Sequence, residues 1–85
     1  MDADNAVRLI GPRGALCIRS EGYDQVSLLP LSPVVTGITL TGFQYPLTDA
    51  ELTIGQSLGI SNRLLDRTGT ISISEGHLLV IQSRG

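Results

Sequence analysis

The sequence predicts an all-β protein, a small antiparallel β-sandwich of jelly-roll type, forming one domain over residues 1–85. Three observations lead there. Ten Gly and four Pro punctuate the chain, leaving stretches of roughly five to eight residues between turn signals. Those stretches are rich in Val, Ile and Leu, 26 residues in all, while the aromatics are one Phe, two Tyr and no Trp. Finally, the only helical start signal has no apolar helical period behind it.

The elements follow in order. Ala6 to Ile10 alternates, with Val7 and Leu9 on one face and Arg8 on the other. Gly11-Pro12-Arg13-Gly14 turns the chain, and Ala15 to Arg19 returns it before a second turn at Ser20-Glu21-Gly22. Gln25 to Leu31 reads as the third strand, ended by Pro30 and Pro33, which cannot donate to a central ladder. Val35 to Thr41 is the fourth, with Ile38 and Leu40 facing one way, Thr39 and Thr41 the other. Gly37 inside it signals a bulge or a close backbone approach. Phe43 to Asn62 reads as a long irregular connection, in which Thr48-Asp49-Ala50-Glu51 has capping-box spacing and predicts at most one helical turn. Thr70 to Ser74 and His77 to Ser83 flank Glu75-Gly76 and predict a C-terminal hairpin, pairing Ile73 with Leu78 and Ile71 with Val80. Leu79 and Ile81 lie on its opposite face. No segment repeats at a fixed period, which excludes a solenoid.

Charge is sparse, six basic against eight acidic residues, and every basic residue is a scattered Arg. A basic stripe interleaved with aromatics is missing, which argues against a nucleic-acid surface and against an oligonucleotide-binding barrel. No apolar stretch approaches the ~18 residues of a membrane span. Met1 to Asn5 is acidic and polar, unlike a signal peptide, and Cys17 is the single cysteine. The expectation is a cytoplasmic protein without a membrane partner. A chain of this size buries only about 60% of its unfolded surface, so a second copy or a partner domain would help it.

Enzyme signatures are thin. The only His, His77, falls at a strand shoulder and reads as an exposed strand residue. One Cys, one His and dispersed carboxylates make no metal site. The Gly11–Gly14 stretch lacks the Gly-Lys-Ser/Thr of a phosphate loop. Cys17, inside a strand pattern, reads as a small core hydrophobe. The Phe43–Asn62 connection carries the recognition chemistry, because long irregular loops in compact domains are often functional. Tyr45 offers a flat face for a heterocycle, and Asn62 can pair with a ring nitrogen and an adjacent amino group. The structural alternatives stay open: Tyr45 as a rim plug, Asn62 in a left-handed turn.

The run SLLPLSPVVTGITLTGFQYPLTDAELTIGQSLGISN, Ser27 to Asn62, resembles the C-terminal vitamin-B1-binding domain of the thiamine pyrophosphokinases. The ending ISISEGHLLVIQS, Ile71 to Ser83, resembles that family's closing hairpin, and Asp4-Asn5 with Val7-Arg8-Leu9-Ile10 resembles its opening strand. The resemblance implies an enzyme that transfers pyrophosphate from ATP to thiamine, giving thiamine diphosphate and AMP. It also implies an N-terminal α/β domain holding Mg2+ and ATP, which this chain lacks, and a homodimer whose thiamine site lies between domains of two subunits. By the same resemblance Tyr45 packs on the thiamine ring, where some relatives carry Trp. Ser61 and Asn62 line the pocket, with Gly59 and Ile60 as its backbone. Met1 then marks the boundary of a piece. The isolated domain is expected to bind thiamine and support dimerisation but to turn over no ATP, and to hold no cofactor or metal by itself. The rival reading is a stand-alone β module that assembles through its apolar faces without catalysis.

Overall fold

The computed structural model describes residues 5–20, 22–54 and 60–84. Among them are eight strands: β1 (Asn5–Ile10), β2 (Ala15–Arg19), β3 (Gln25–Pro30), β4 (Val34–Thr41), β5 (Leu47–Thr53), β6 (Ile60–Arg63), β7 (Thr68–Ser72) and β8 (Leu78–Ser83). They form two four-stranded antiparallel sheets, β1-β8-β3-β6 and β2-β7-β4-β5, as a small sandwich requires. Among the described residues there is no helix long and apolar enough to cross a membrane.

Alternation sends one face of β3, β4, β7 and β8 inward. Val26, Leu28, Leu78 and Val80 of the first sheet meet Ile18, Val35, Ile38, Leu40 and Ile71 of the second in one aliphatic core. Phe43 and Leu64 close one end of it. Gln82 is the polar residue that enters the core from β8. Its Nε2 donates to the Arg19 carbonyl at 2.9 Å and the Tyr23 carbonyl at 3.2 Å, so the buried amide ties β8 to the β2–β3 turn.

The predicted C-terminal hairpin is not formed. β7 pairs with β2 and β4, while β8 pairs with β1 and β3. Between them, residues 73–77 cross from one sheet to the other, and their backbone is engaged elsewhere. Arg13 N–H donates to Ser74 C=O at 2.9 Å and Ile73 N–H to Gly14 C=O at 3.1 Å. On the other side, Thr36 N–H donates to Glu75 C=O at 3.0 Å and Leu31 N–H to His77 C=O at 2.9 Å. Gly76, at φ +95°, makes the turn within this crossing. Ile71, Ile73, Leu78 and Val80 do share one buried surface, but from opposite sheets.

Three further expectations change. The long connection contains two strands, β5 and β6, and the Thr48–Glu51 stretch lies inside β5 with no helical turn. Cys17 is exposed, because Ile18 takes the inward position of β2 and alternation turns its neighbour out. β3 ends at Pro30 rather than Leu31, where its pairing with β8 also ends.

Gly37 shows both of the features its position in a strand suggested. The β4–β5 register shifts between Val35 and Ile38, and Gly37 sits at φ +66° against Ser74, where a Cβ would overlap that side chain. Gly37→Ala is expected to cost about 1–2 kcal/mol for the left-handed backbone alone, plus the steric overlap. At about 4–8 °C per kcal/mol for a domain this size, thermal unfolding resolves that loss easily. Adding Ser74→Gly should return part of it, and an unchanged melting temperature in Gly37→Ala would contradict the close approach.

Candidate functional site

The two outer faces of the sandwich differ in chemistry. On the β1-β8-β3-β6 sheet, cross-strand rows read Leu9–Leu79–Leu29 and Val7–Ile81–Ser27–Ser61. Val7 and Leu9 are 52% and 59% exposed. On the other sheet the rows read Ala15–Ser72–Thr39 and Cys17–Thr70–Thr41, a surface of small side chains and hydroxyls on which Thr41 and Thr70 bond to each other. One outer face is thus apolar, the other polar.

The apolar face runs out at β6, and there a cleft of about 350 Å3 opens, at the small end of the range for ligand clefts (about 300–1,000 Å3). Gln25, Ser27, Ser61 and Arg63 line it from the outer face of β3 and β6; Val26, Asn62, Gln44 and Tyr45 complete it. Arg63 is bonded to Asp24, Nε to Oδ2 at 3.4 Å, a pair exposed enough to add little stability.

The far wall is a strap. After β4 the chain leaves its sheet and runs along the free edge of β6. Phe43 pairs with Leu64, and Gln44 N–H donates to Arg63 C=O at 2.7 Å. Tyr45 N–H then donates to Asn62 Oδ1 at 3.1 Å, and Asn62 Nδ2 donates to Tyr45 C=O at 2.8 Å. Asn62 Oδ1 also accepts Arg63 N–H at 2.8 Å. Asn62 is buried at 6% exposure, whereas the Tyr45 side of the strap stands out at 61%.

Tyr45, Ser61 and Asn62, the three expected site residues with side chains, therefore line one cleft. They do not act as a simple set. Ser61 and Asn62 are strand neighbours and point to opposite faces, Ser61 outward beside Ser27 and Asn62 inward to Tyr45. Ile60, expected with Gly59 to supply pocket backbone, pairs with Leu28 in β6, and the expectation for Gly59 lies outside the described residues. Sequence reasoning missed Gln25, Ser27, Gln44 and Arg63, which are brought in by cross-strand pairing. It also missed the bond between Asn62 and Tyr45. A signal for the latter was present: Asn62 holds an inward position two residues before Leu64, and a polar group in an apolar register needs a partner.

These features define a class, a small antiparallel β-sandwich domain with a lateral cleft and one presented aromatic ring. The particular family follows from comparison. Residues 16–78 match the family described as thiamin pyrophosphokinase, vitamin B1 binding domain, and the chain belongs to that family. It is 35% identical over 83 residues to the thiamine pyrophosphokinase of Bacillus subtilis, covering 98% of this chain and 39% of that protein. Among solved structures it is similar to thiamin pyrophosphokinase from Geobacillus thermodenitrificans, with TM-score 0.92 and 40% identity over 100% of this chain and 40% of the other. The Bacillus subtilis enzyme's structure gives TM-score 0.88 at 36% identity, again over 100% and 40%. The chain thus spans about two fifths of the length of these relatives.

The exposure of Tyr45 makes a clean test of the site possible. Tyr45→Ala removes a ring that the fold hardly buries, so unfolding in urea should shift by no more than about 0.5 kcal/mol. A larger loss would mean that the ring plugs the rim of the sandwich.

Proposed function

We propose that this chain is the vitamin-B1-binding part of a thiamine pyrophosphokinase and takes thiamine in the cleft between the 43–45 strap and β6. The observation that carries the reading is the Tyr45 ring, presented at a polar cleft in a chain of this family. Thiamine is a flat, cationic heterocycle joined to an aminopyrimidine. Stacking on Tyr45 contributes about 0.5–1.5 kcal/mol beyond area burial, with a cation–π contribution in addition. The Ser61 hydroxyl offers a polar contact on the outer side and Asn62 lines the cleft beside it; the family resemblance adds the backbone of Gly59 and Ile60.

The reaction proposed for the longer protein is transfer of a pyrophosphoryl group from ATP to the hydroxyethyl oxygen of thiamine, giving thiamine diphosphate and AMP. Such transfers depend on positioning and on neutralising charge around the phosphates. Among the described residues no three His, Cys, Asp or Glu side chains gather as metal ligands. The described residues do not fit Mg2+, so the groups that hold Mg2+ and ATP are assigned to the part of the relatives that the chain does not span. The reading implies the cytoplasm, where the ATP donor is.

The apolar outer face supports a homodimer. Its row from Val7 through Ile81 to Ser27 and Ser61 runs straight into the cleft, so a chain seated on that face would reach the rim of the site. The same face is what favours the second reading, an assembly module without a ligand.

Thiamine at millimolar concentration is expected to shift the amide signals of Tyr45 and Ser61, and Tyr45→Ala to abolish the response. Affinity should be weak, because much of the pocket lies outside this chain. No shift at any concentration would leave the assembly module as the reading. Supplied with ATP, Mg2+ and thiamine, the pure 85-residue protein should release no AMP.

Light scattering tests the assembly separately. A dimer mass at high concentration, converted to a monomer by Leu9→Glu, is expected; a monomer in both would remove the homodimer.

A further inference from the structure

The edge of β6 is paired in two different ways. Phe43 with Leu64 and Gln44 with Arg63 are backbone pairings. At the next step Tyr45 pairs with a side chain, as both its N–H and its C=O are met by the Asn62 amide, at 3.1 and 2.8 Å. A primary amide carries an acceptor and donors in one plane, as a peptide group does, so it can stand in for a strand neighbour. The bond from Arg63 N–H at 2.8 Å fixes which end of that amide is oxygen. Pro46 acts from the other side, since the residue before a proline is held to extended conformations.

Resting on the thiamine reading above, we propose that Asn62 is a positioning residue: it acts on the ligand through Tyr45, by pinning that residue's backbone so that the exposed ring stands fixed over the cleft. The burial of Asn62 and the use of its oxygen by two backbone donors leave it poorly suited to direct recognition. A ring already held in place loses less freedom when a heterocycle stacks on it. The choice of residue follows from the same geometry. Asp keeps both accepted bonds but has no donor for the Tyr45 carbonyl and sets a charge against it. Gln is one methylene too long for this edge.

Two readouts in the 85-residue protein test the inference, with thiamine as the probe. Without ligand, Asn62→Ala should raise amide hydrogen exchange at Tyr45 at least tenfold, and unchanged exchange would overturn the clamp. In titrations, Tyr45→Trp should strengthen thiamine binding several-fold through its larger face, and that gain should vanish when Asn62→Ala is added. A gain that persists would mean that Asn62 acts independently of position 45, which overturns the proposal. If Asn62→Ala does not fold, Asn62→Asp serves in the same cycle, with the same expected loss of the Trp gain. Wild-type protein that ignores thiamine while Asn62→Ala accelerates Tyr45 exchange would defeat the functional reading, and the ligand role with it, but leave the clamp standing.

Discussion

Everything in this domain depends on burying one face of each short strand in a shared aliphatic layer. Strands of four to eight residues cannot each bury both faces in a chain this small, and isolated two-stranded ribbons are only marginally stable in water. Stacking two sheets solves this, with Leu28, Leu78 and Val80 from one side meeting Ile38, Leu40 and Ile71 from the other. The connections serve that arrangement. Only β4 and β5 are neighbours both in sequence and in a sheet; the other connections cross between sheets. The 73–77 crossing is therefore hydrogen-bonded to the 11–14 turn on one side and to Leu31 and Thr36 on the other, at one end of the sandwich.

That topology explains what the sequence made legible. Turn signals located β1 to β4, and pairing by alternation gave the inward set Ile71, Ile73, Leu78 and Val80, but it did not tell the inner face of β1, where the apolar pair Val7 and Leu9 points outward. Alternation does not report which strand lies alongside. A hairpin and a pair of facing strands in opposite sheets bury the same four side chains, and Glu75-Gly76 suits a tight turn as well as a crossing. The β5 strand was hidden for a different reason. Its pairing with β4 is broken by register shifts and Asp49 takes φ +50°, so Leu47–Thr53 lacks clean alternation. Cys17 misled because its apolar character says nothing about its parity beside Ile18.

The candidate cleft was legible at three of its lining residues and illegible in its wiring. Tyr45, Ser61 and Asn62 could be picked for their chemistry, and they do line one cleft. Their relations could not, because they arise where a strap leaving one sheet meets the free edge of the other. Exposed sheet edges invite unwanted pairing and are commonly covered. Here the 43–45 strap does the covering, and the cleft lies between that cover and the strand beneath it.

This placement separates the residues that hold the fold together from most of those that line the cleft. The strap residues Gln44 and Tyr45 are exposed, so they can vary at little expense to the core. The wall opposite them is the outer face of β3 and β6, whose inward residues belong to the core and hold it rigid. Asn62 is the exception, since it is buried like a core residue while lining the cleft like a rim residue. A polar side chain in that position needs its partners: removing one end of such a pair strands a buried donor or acceptor, at about 1–3 kcal/mol. The backbone of Tyr45 supplies those partners. Core burial and ring placement are thus linked through one amide, and the fold cannot satisfy Asn62 without also setting where the Tyr45 backbone lies.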